Sequence, residues 1–381
     1  MNPERPVLIP TALRRTFGLG AGPRLGFPAE GAGRPRPALT LGVRWSALRF
    51  PVLVASLVGG LATAAPPPTA LRTMPARPGR PADIEQWQHG LRARFQQLLR
   101  IDDLAASGMD LPFDPETLGS WDLGDYVAKK MSLRSTSSRA ITVIITFPKV
   151  GAGPHPAVVC IGGHGSSLYS TYANGKPYAD WSPQGRDSSP IYKGFAAALA
   201  RSGYVTISTV VSQHEVSEPG RTLMGDRLWD LMRCVSYLGT RPEVRRSRIG
   251  CGGLSLGGEM VMWLAAMDAR IAAAYSSGFL TVMDQMEKGH CRCWKFAGLR
   301  ELVDFADIYA MIAPRPLECQ NGRKEPPSQF PPALAARAMD EIRPVYASFG
   351  QADRLTLDIH DGAHEINLPA LLAFFDRHLK P

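Results

Sequence analysis

Between residues 84 and 99 apolar side chains recur at helical spacing, with Trp87, Leu91, Phe95 and Leu98 or Leu99 on one face, which predicts an amphipathic helix packed on a core. The period then changes. Tyr126 to Leu133 and Ile141 to Phe147 read as strands and are expected to form the antiparallel edge of a sheet. Pro156 to Ile161 is a continuous apolar run, as a parallel strand buried on both faces requires. From there strand-like and helix-like segments alternate. A short apolar run covers Ile249–Gly252, and an amphipathic segment covers Glu259–Met267. A helix over Leu302–Ile312, a strand over Arg315–Gln320 and a last strand over Arg354–His360 follow. There are no repeats, and the alternation predicts an α/β fold: a mostly parallel central sheet with helices on both faces.

Upstream of this region the pattern is different. Pro66 to Pro81 is rich in proline and has no apolar periodicity, which predicts a stiff, extended or disordered linker. Before it, Arg44 and Arg49 precede the apolar stretch Phe50–Leu61, and Ala62-Thr63-Ala64 puts small residues at cleavage spacing before Ala65. That is the layout of a secretory signal. The stretch is short against the about 20 apolar residues a spanning helix needs, and it contains Gly and Pro, so export with cleavage is expected and no membrane span afterwards. Residues 1–42, rich in Arg, Pro and Gly, stand where a signal would normally begin. They are read as an extension ahead of a true start near Val43. The expected organisation is thus an extension (1–42), a signal (43–64), a linker (65–81) and one catalytic domain (82–381) in the periplasm or outside the cell.

The chain has 381 residues and a formal charge of +9. Residues 1–50 hold eight Arg, no Lys and two Glu, so most of that excess lies in the N-terminal segment. The remainder carries no basic stripe interleaved with aromatics, and nucleic acid is not an expected partner. All six cysteines, Cys160, Cys234, Cys251, Cys291, Cys293 and Cys319, survive removal of the signal. Cys160 and Cys251 fall in buried strands and read as small core residues. His290-Cys291-Arg292-Cys293 lacks the two to four residues that usually separate paired zinc cysteines. No metal or cofactor is expected, and a disulfide from Cys291 or Cys293 to an unidentified partner is.

The candidate chemistry centres on Gly253-Leu254-Ser255-Leu256-Gly257, which lies between a strand and a helix. Glycines on both sides let neighbouring chain pass close to a serine held in a strained turn. The hydroxyl is pushed toward substrate, and the Leu256 N–H and the new helix N-terminus converge where an oxyanion would form. The arrangement suits acyl transfer. The partners of such a serine follow it in the order acid, histidine. His364, in the loop directly after the last strand, is the base candidate; His360, still within the strand, is the decoy. Glu325, in the exit loop of the preceding strand, is the acid candidate, with Asp353, Asp284 and Glu287 as alternatives. A second oxyanion donor is expected from the Gly163-His164-Gly165 loop after a central strand. His164 there is read as a loop-shaping or substrate-contacting residue rather than a base. Tyr169, Tyr172, Tyr178, Trp181 and Trp294 could line a substrate pocket or pack loops onto the core.

Taken in order, several motifs resemble the dienelactone hydrolase and acetyl xylan esterase branch of the α/β-hydrolase superfamily, particularly its bacterial serine esterases, across roughly residues 82–380. They are Gly163-His164-Gly165, Met224 to Asp230 opening a helix that ends near Arg241-Pro242, and Gly253 to Gly258. Ala313-Pro314-Arg315-Pro316 leading to Gly322 and Glu325, then Gly362-Ala363-His364-Glu365, complete the set. The resemblance implies Ser255 as nucleophile, Glu325 as acid and His364 as base. Dienelactone hydrolases proper use cysteine where Ser255 stands, which points to the esterase side, and the acid position more often holds aspartate. The implied activity is hydrolysis of an ester, with acetylated carbohydrate as the guess for substrate. A prolyl-oligopeptidase-type peptidase and a non-catalytic exported binding protein of the same fold are the alternatives. Oligomeric state is not readable.

Overall fold

The computed structural model describes residues 72–107, 110–173 and 190–380. Among them nine strands form one sheet: β1 (Glu116–Asp122), β2 (Tyr126–Arg134), β3 (Ala140–Pro148), β4 (His155–Ile161), β5 (Val205–Thr209), β6 (Val244–Leu254), β7 (Ile271–Ser277), β8 (Leu317–Gly322) and β9 (Leu355–His360). Their spatial order is β1-β2-β3-β5-β4-β6-β7-β8-β9. β1, β2, β3 and β5 pair antiparallel, and every pair from β5 to β9 is parallel. The parallel α/β core expected from the alternation is therefore present.

The sheet has a core on each face. Along β4 the side chains alternate between them, with Ala157, Val159 and Ile161 in one cluster and Val158 and Cys160 in the other. The larger core receives the helices Pro81–Leu99, Leu223–Thr240, Leu256–Met267, Phe305–Ala310 and Pro332–Ser348; the smaller receives Phe195–Arg201 and Leu368–Leu379. This two-sided burial explains why the central strands read as continuous apolar runs. On the smaller side the last helix comes very close to β6. A Cβ built on Gly250 would lie 2.9 Å from both Phe375 and Leu379, so the ring of Phe375 fills the space that a side chain would take.

Three expectations change. The antiparallel edge is β1 rather than β2. Its sequence, Glu-Thr-Leu-Gly-Ser-Trp-Asp, is mostly exposed and its register shifts between Thr117 and Gly119, so it carries no alternation to read. The helix expected over 302–312 is two short helices, Leu299–Leu302 and Phe305–Ala310, because Asp304 and Asp307 form a capping box that starts a new helix. The end of the proline-rich linker is docked rather than loose: Arg72 forms a two-pronged pair with Asp307 at 2.8 Å, and Thr73, Met74 and Ala76 donate backbone hydrogen bonds to Glu301, Leu302 and Asp307. Residues 1–71, which contain the expected extension and signal, lie outside the described residues. Among the described residues no helix is long and apolar enough to cross a membrane.

Parallel pairing puts the ends of β4, β6, β7, β8 and β9 on one edge of the sheet. Ile161 is in register with Gly253, Leu254 with Ser277, Ser277 with Gln320 and Gly322 with His360. The loops after these strands therefore meet.

Phe375→Ala is expected to cost about 3–5 kcal/mol of stability by opening a cavity over β6, and Gly250→Ala about 1–3 kcal/mol by overpacking the same contact. Urea unfolding of the two variants beside the parent measures both; an unchanged midpoint for Phe375→Ala would contradict this packing.

Candidate active site

Ser255 stands between β6 and the helix Leu256–Met267 with φ 63° and ψ −125°, a conformation that costs a non-glycine residue roughly 1–3 kcal/mol. The surroundings hold it there. Its N–H donates to the Ser277 carbonyl at 2.9 Å, and its own carbonyl accepts from the Glu259 N–H at 2.9 Å. Gly253 and Gly257 cross β4 so closely that a Cβ on Gly257 would collide with the Ile161 carbonyl. Leu256 is the first residue of the helix, so its N–H has no intrahelical acceptor and lies beside the serine.

Two loops supply the other members. The loop after β8 carries Glu325 and the loop after β9 carries His364; two backbone hydrogen bonds lace them together, Arg323 N–H to the His360 carbonyl and Lys324 N–H to the Gly362 carbonyl, and Glu325 N–H closes its own loop on the Gly322 carbonyl. Gly322 lies against the Ala363 carbonyl with no room for a side chain. The result is a contact of 2.8 Å between His364 Nδ1 and Glu325 Oε1, with the glutamate side chain fully buried. His364 stacks on Phe330 at 5.6 Å between ring centroids and 16° between planes. Its other side touches the turn after β7, where a Cβ on Gly278 would lie 2.9 Å from the imidazole. Ser255 and His364 line the same cleft, which has about 680 Å³ of empty space, part of it open to solvent.

The alternative residues are elsewhere. Asp353 is exposed just ahead of β9, at the opposite end of that strand from His364. Asp284 and Glu287 pair with Arg300, and Glu287 also with Lys295. His360 Nδ1 accepts from the Gly362 N–H and shapes the loop. The Gly163 N–H donates to the Tyr192 hydroxyl at 2.6 Å, so Gly163 would reach an oxyanion only through that tyrosine or by giving up the bond. Gly165 is exposed with φ 67° and serves the turn. His164 lines the cleft; burial, helped by Arg227, His214 and His290, lowers its imidazole to about 4. Among the expected aromatics, Tyr169, Tyr172 and Trp294 are buried in the two cores, while Tyr178 and Trp181 lie outside the described residues. The cleft's aromatic surface comes instead from Phe279 and Phe330. All six cysteines are free thiols, which corrects the disulfide expected at Cys291 or Cys293.

Glu259 opens a segment whose pattern predicts an amphipathic helix, but every residue of Leu256–Met267 is buried. Glu259 is fully buried beside the cleft, its Oε1 has no hydrogen-bond partner among the described residues, and burial pushes its carboxyl up to about 8 against a smaller opposing effect of Arg227.

No family model matches the chain. The putative hydrolase YtaP of Bacillus subtilis is 24% identical over 254 residues, covering 64% of this chain and 84% of that protein. A putative acetyl xylan esterase from Bacteroides fragilis superposes with a TM-score of 0.61 at 20% identity, over 75% of this chain and 78% of that one. A glucuronoyl esterase from Caldicellulosiruptor kristjansonii does so with a TM-score of 0.56 at 15% identity, over 79% and 87%. The fold is that of the α/β-hydrolases. In this fold the strained serine turn, the laced acid and histidine loops and the cleft all lie at the edge where parallel strands end, which is where ligands bind in open α/β sheets.

Because the folded value for Glu259 lies above the ordinary 4.5, folding favours its protonated form. Its contribution is intact below about pH 4.5 and is lost as pH rises through about 8. Glu259→Gln should therefore gain stability over the parent progressively from pH 5 to 9, the gap levelling above about 8. Urea midpoints at pH 5, 7 and 9 check this, and a gap independent of pH contradicts it.

Proposed function

We propose that the protein is an exported serine carboxylesterase. The observation that carries this reading is the buried Glu325 carboxylate on His364 Nδ1, in the cleft that also exposes the strained Ser255. Glu325 fixes the imidazole with Nδ1 protonated, which leaves Nε2 as the base. His364 takes the Ser255 proton, the serine oxygen attacks the ester carbonyl carbon, and the Leu256 N–H steadies the oxyanion at the head of its helix. The protonated imidazole gives its proton to the leaving alcohol. Water, deprotonated by the same ring, then releases the acid from the acyl-enzyme and frees the serine.

Esterified carbohydrate is the proposed substrate class, and the names of the structural relatives, an acetyl xylan esterase and a glucuronoyl esterase, support it. The Phe279 and Phe330 surface offers apolar faces on which a sugar ring or acyl group can rest. Export rests on the basic, apolar and small-residue pattern of Arg44 to Ala65.

Aryl acetates and acetylated xylo-oligosaccharides should be hydrolysed, and a fluorophosphonate should label Ser255. Ser255→Ala should abolish labelling and lower kcat by about 10⁵–10⁶-fold, and Glu325→Gln should lower it by about 10⁴-fold with little change in KM. Undiminished turnover in Ser255→Ala would falsify the serine mechanism, and preference for a prolyl amide over every ester would move the reading to a peptidase.

A further inference from the structure

Four side chains that the proposed reaction does not use converge beside the same cleft. His164 follows β4, His214 lies in the loop after β5, and Cys291 and Cys293 lie in the segment after the short helix Met283–Met286. Their ligating atoms all lie within 4.8 Å of one another. His164 Nε2 is 3.1 Å from Cys293 Sγ, and His214 Nε2 is 3.2 Å from Cys291 Sγ. The two imidazoles face each other at 5.5 Å between centroids.

We propose that His164, His214, Cys291 and Cys293 form a closed, four-ligand site for a thiophilic divalent metal ion, zinc in the first place. Two thiolates and two imidazoles are the donor set that a tetrahedral ion of this class selects. Bonds of about 2.3 Å to sulfur and about 2.0–2.1 Å to nitrogen place donors roughly 3.3–3.8 Å apart. The two nitrogen–sulfur contacts, at 3.1 and 3.2 Å, lie slightly short of that range, and separations up to the 4.8 Å limit close with about 1 Å of side-chain movement.

Separate thiol–imidazole hydrogen bonds would account for each pair, but they would not require four donors from three loops to meet at one point. Arg227 supplies an independent observation. Its guanidinium is fully buried, donates to the Gln213 carbonyl, and leaves Nε and Nη1 without a partner among the described residues. It interacts with the sulfur of Cys293. A neutral thiol is a poor acceptor for a buried cation, whereas a metal-bound thiolate is a good one. With two thiolates the bound ion is neutral overall, and the remaining groups to accommodate beside it are the Arg227 guanidinium and the buried Glu259 carboxyl, which interact with each other.

All four positions of the tetrahedron would be occupied by protein, so the ion would leave no site for an activating water and would act structurally. It would tie the Gly163–Gly165 turn, the loop after β5 and the Cys291 wall of the cleft into one unit, since His164 and Cys291 both line the cleft with Ser255.

The test uses the full chain, held reduced, stripped with a chelator and titrated with zinc against a chromophoric competitor, with elemental analysis of the product. One zinc per chain is expected, together with a raised unfolding temperature on loading. Cobalt(II) in place of zinc should give thiolate charge-transfer absorption and the intense visible bands of a tetrahedral ion. The double variant C291S/C293S should lose the ion. His214→Ala, at an exposed position, should bind at least tenfold more weakly while keeping the parent's circular dichroism, which keeps the test decisive if the double variant fails to fold. Substoichiometric zinc that neither substitution changes, or cobalt spectra without thiolate bands, overturns the site. None of these readings passes through ester hydrolysis.

Discussion

The Ser255 backbone can hold φ 63° only because the chain around it has been stripped of side chains where strands and helix cross. Gly257 lies against the Ile161 carbonyl, Gly258 lies 2.5 Å, counted from a notional Cβ, from that of Ser277, and Gly163 approaches the Leu254 carbonyl within 2.8 Å by the same measure. These contacts join β4, β6 and β7 at their ends. The strain at the serine is therefore not local: it is balanced by packing contributed by three strands and the first turn of a helix. Everything proposed for the cleft depends on that crossing, because it sets where the hydroxyl points and where the Leu256 N–H waits.

The histidine and its acid are placed by a different device. Backbone hydrogen bonds between the loops after β8 and β9 hold together the segments that carry Glu325 and His364. A glutamate rather than an aspartate suits this geometry, since its carboxylate reaches the imidazole from a buried position one loop away. The cleft thus combines a rigid serine turn with a pair of loops fixed to each other, and Phe330 fills the stacking face of the imidazole.

Much of this was legible because the signals are local. Gly253 to Gly257 announces its turn within five residues, and the apolar runs of β4 and β6 announce a sheet buried on both faces. What was not legible depends on distant contacts. Nothing in Glu116 to Asp122 has strand periodicity; its pairing with β2 makes it a strand. The 302–312 helix is cut by Asp304 and Asp307, and Asp307 is also the anchor for Arg72, a partner 235 positions away. The spacing of Cys291 and Cys293, closer than the two to four residues usual between paired zinc cysteines, argued against a metal, and the further ligands such a site needs are not visible nearby in sequence. The fold brings His164 and His214 to the sulfurs instead, from segments 129 and 77 residues distant.

The form of β1 has a consequence for how copies of this chain meet. An outer strand normally offers its unpaired amides as a template for another sheet. Here the strand shifts register between Thr117 and Gly119 and ends on Asp122, which is held by Lys149 at 2.5 Å. A second molecule approaching that side would find its hydrogen-bonding groups out of step and a charge at the end of the row. Continuous sheet growth through this face is thereby opposed, and the protein can be concentrated without fusing strand to strand along it.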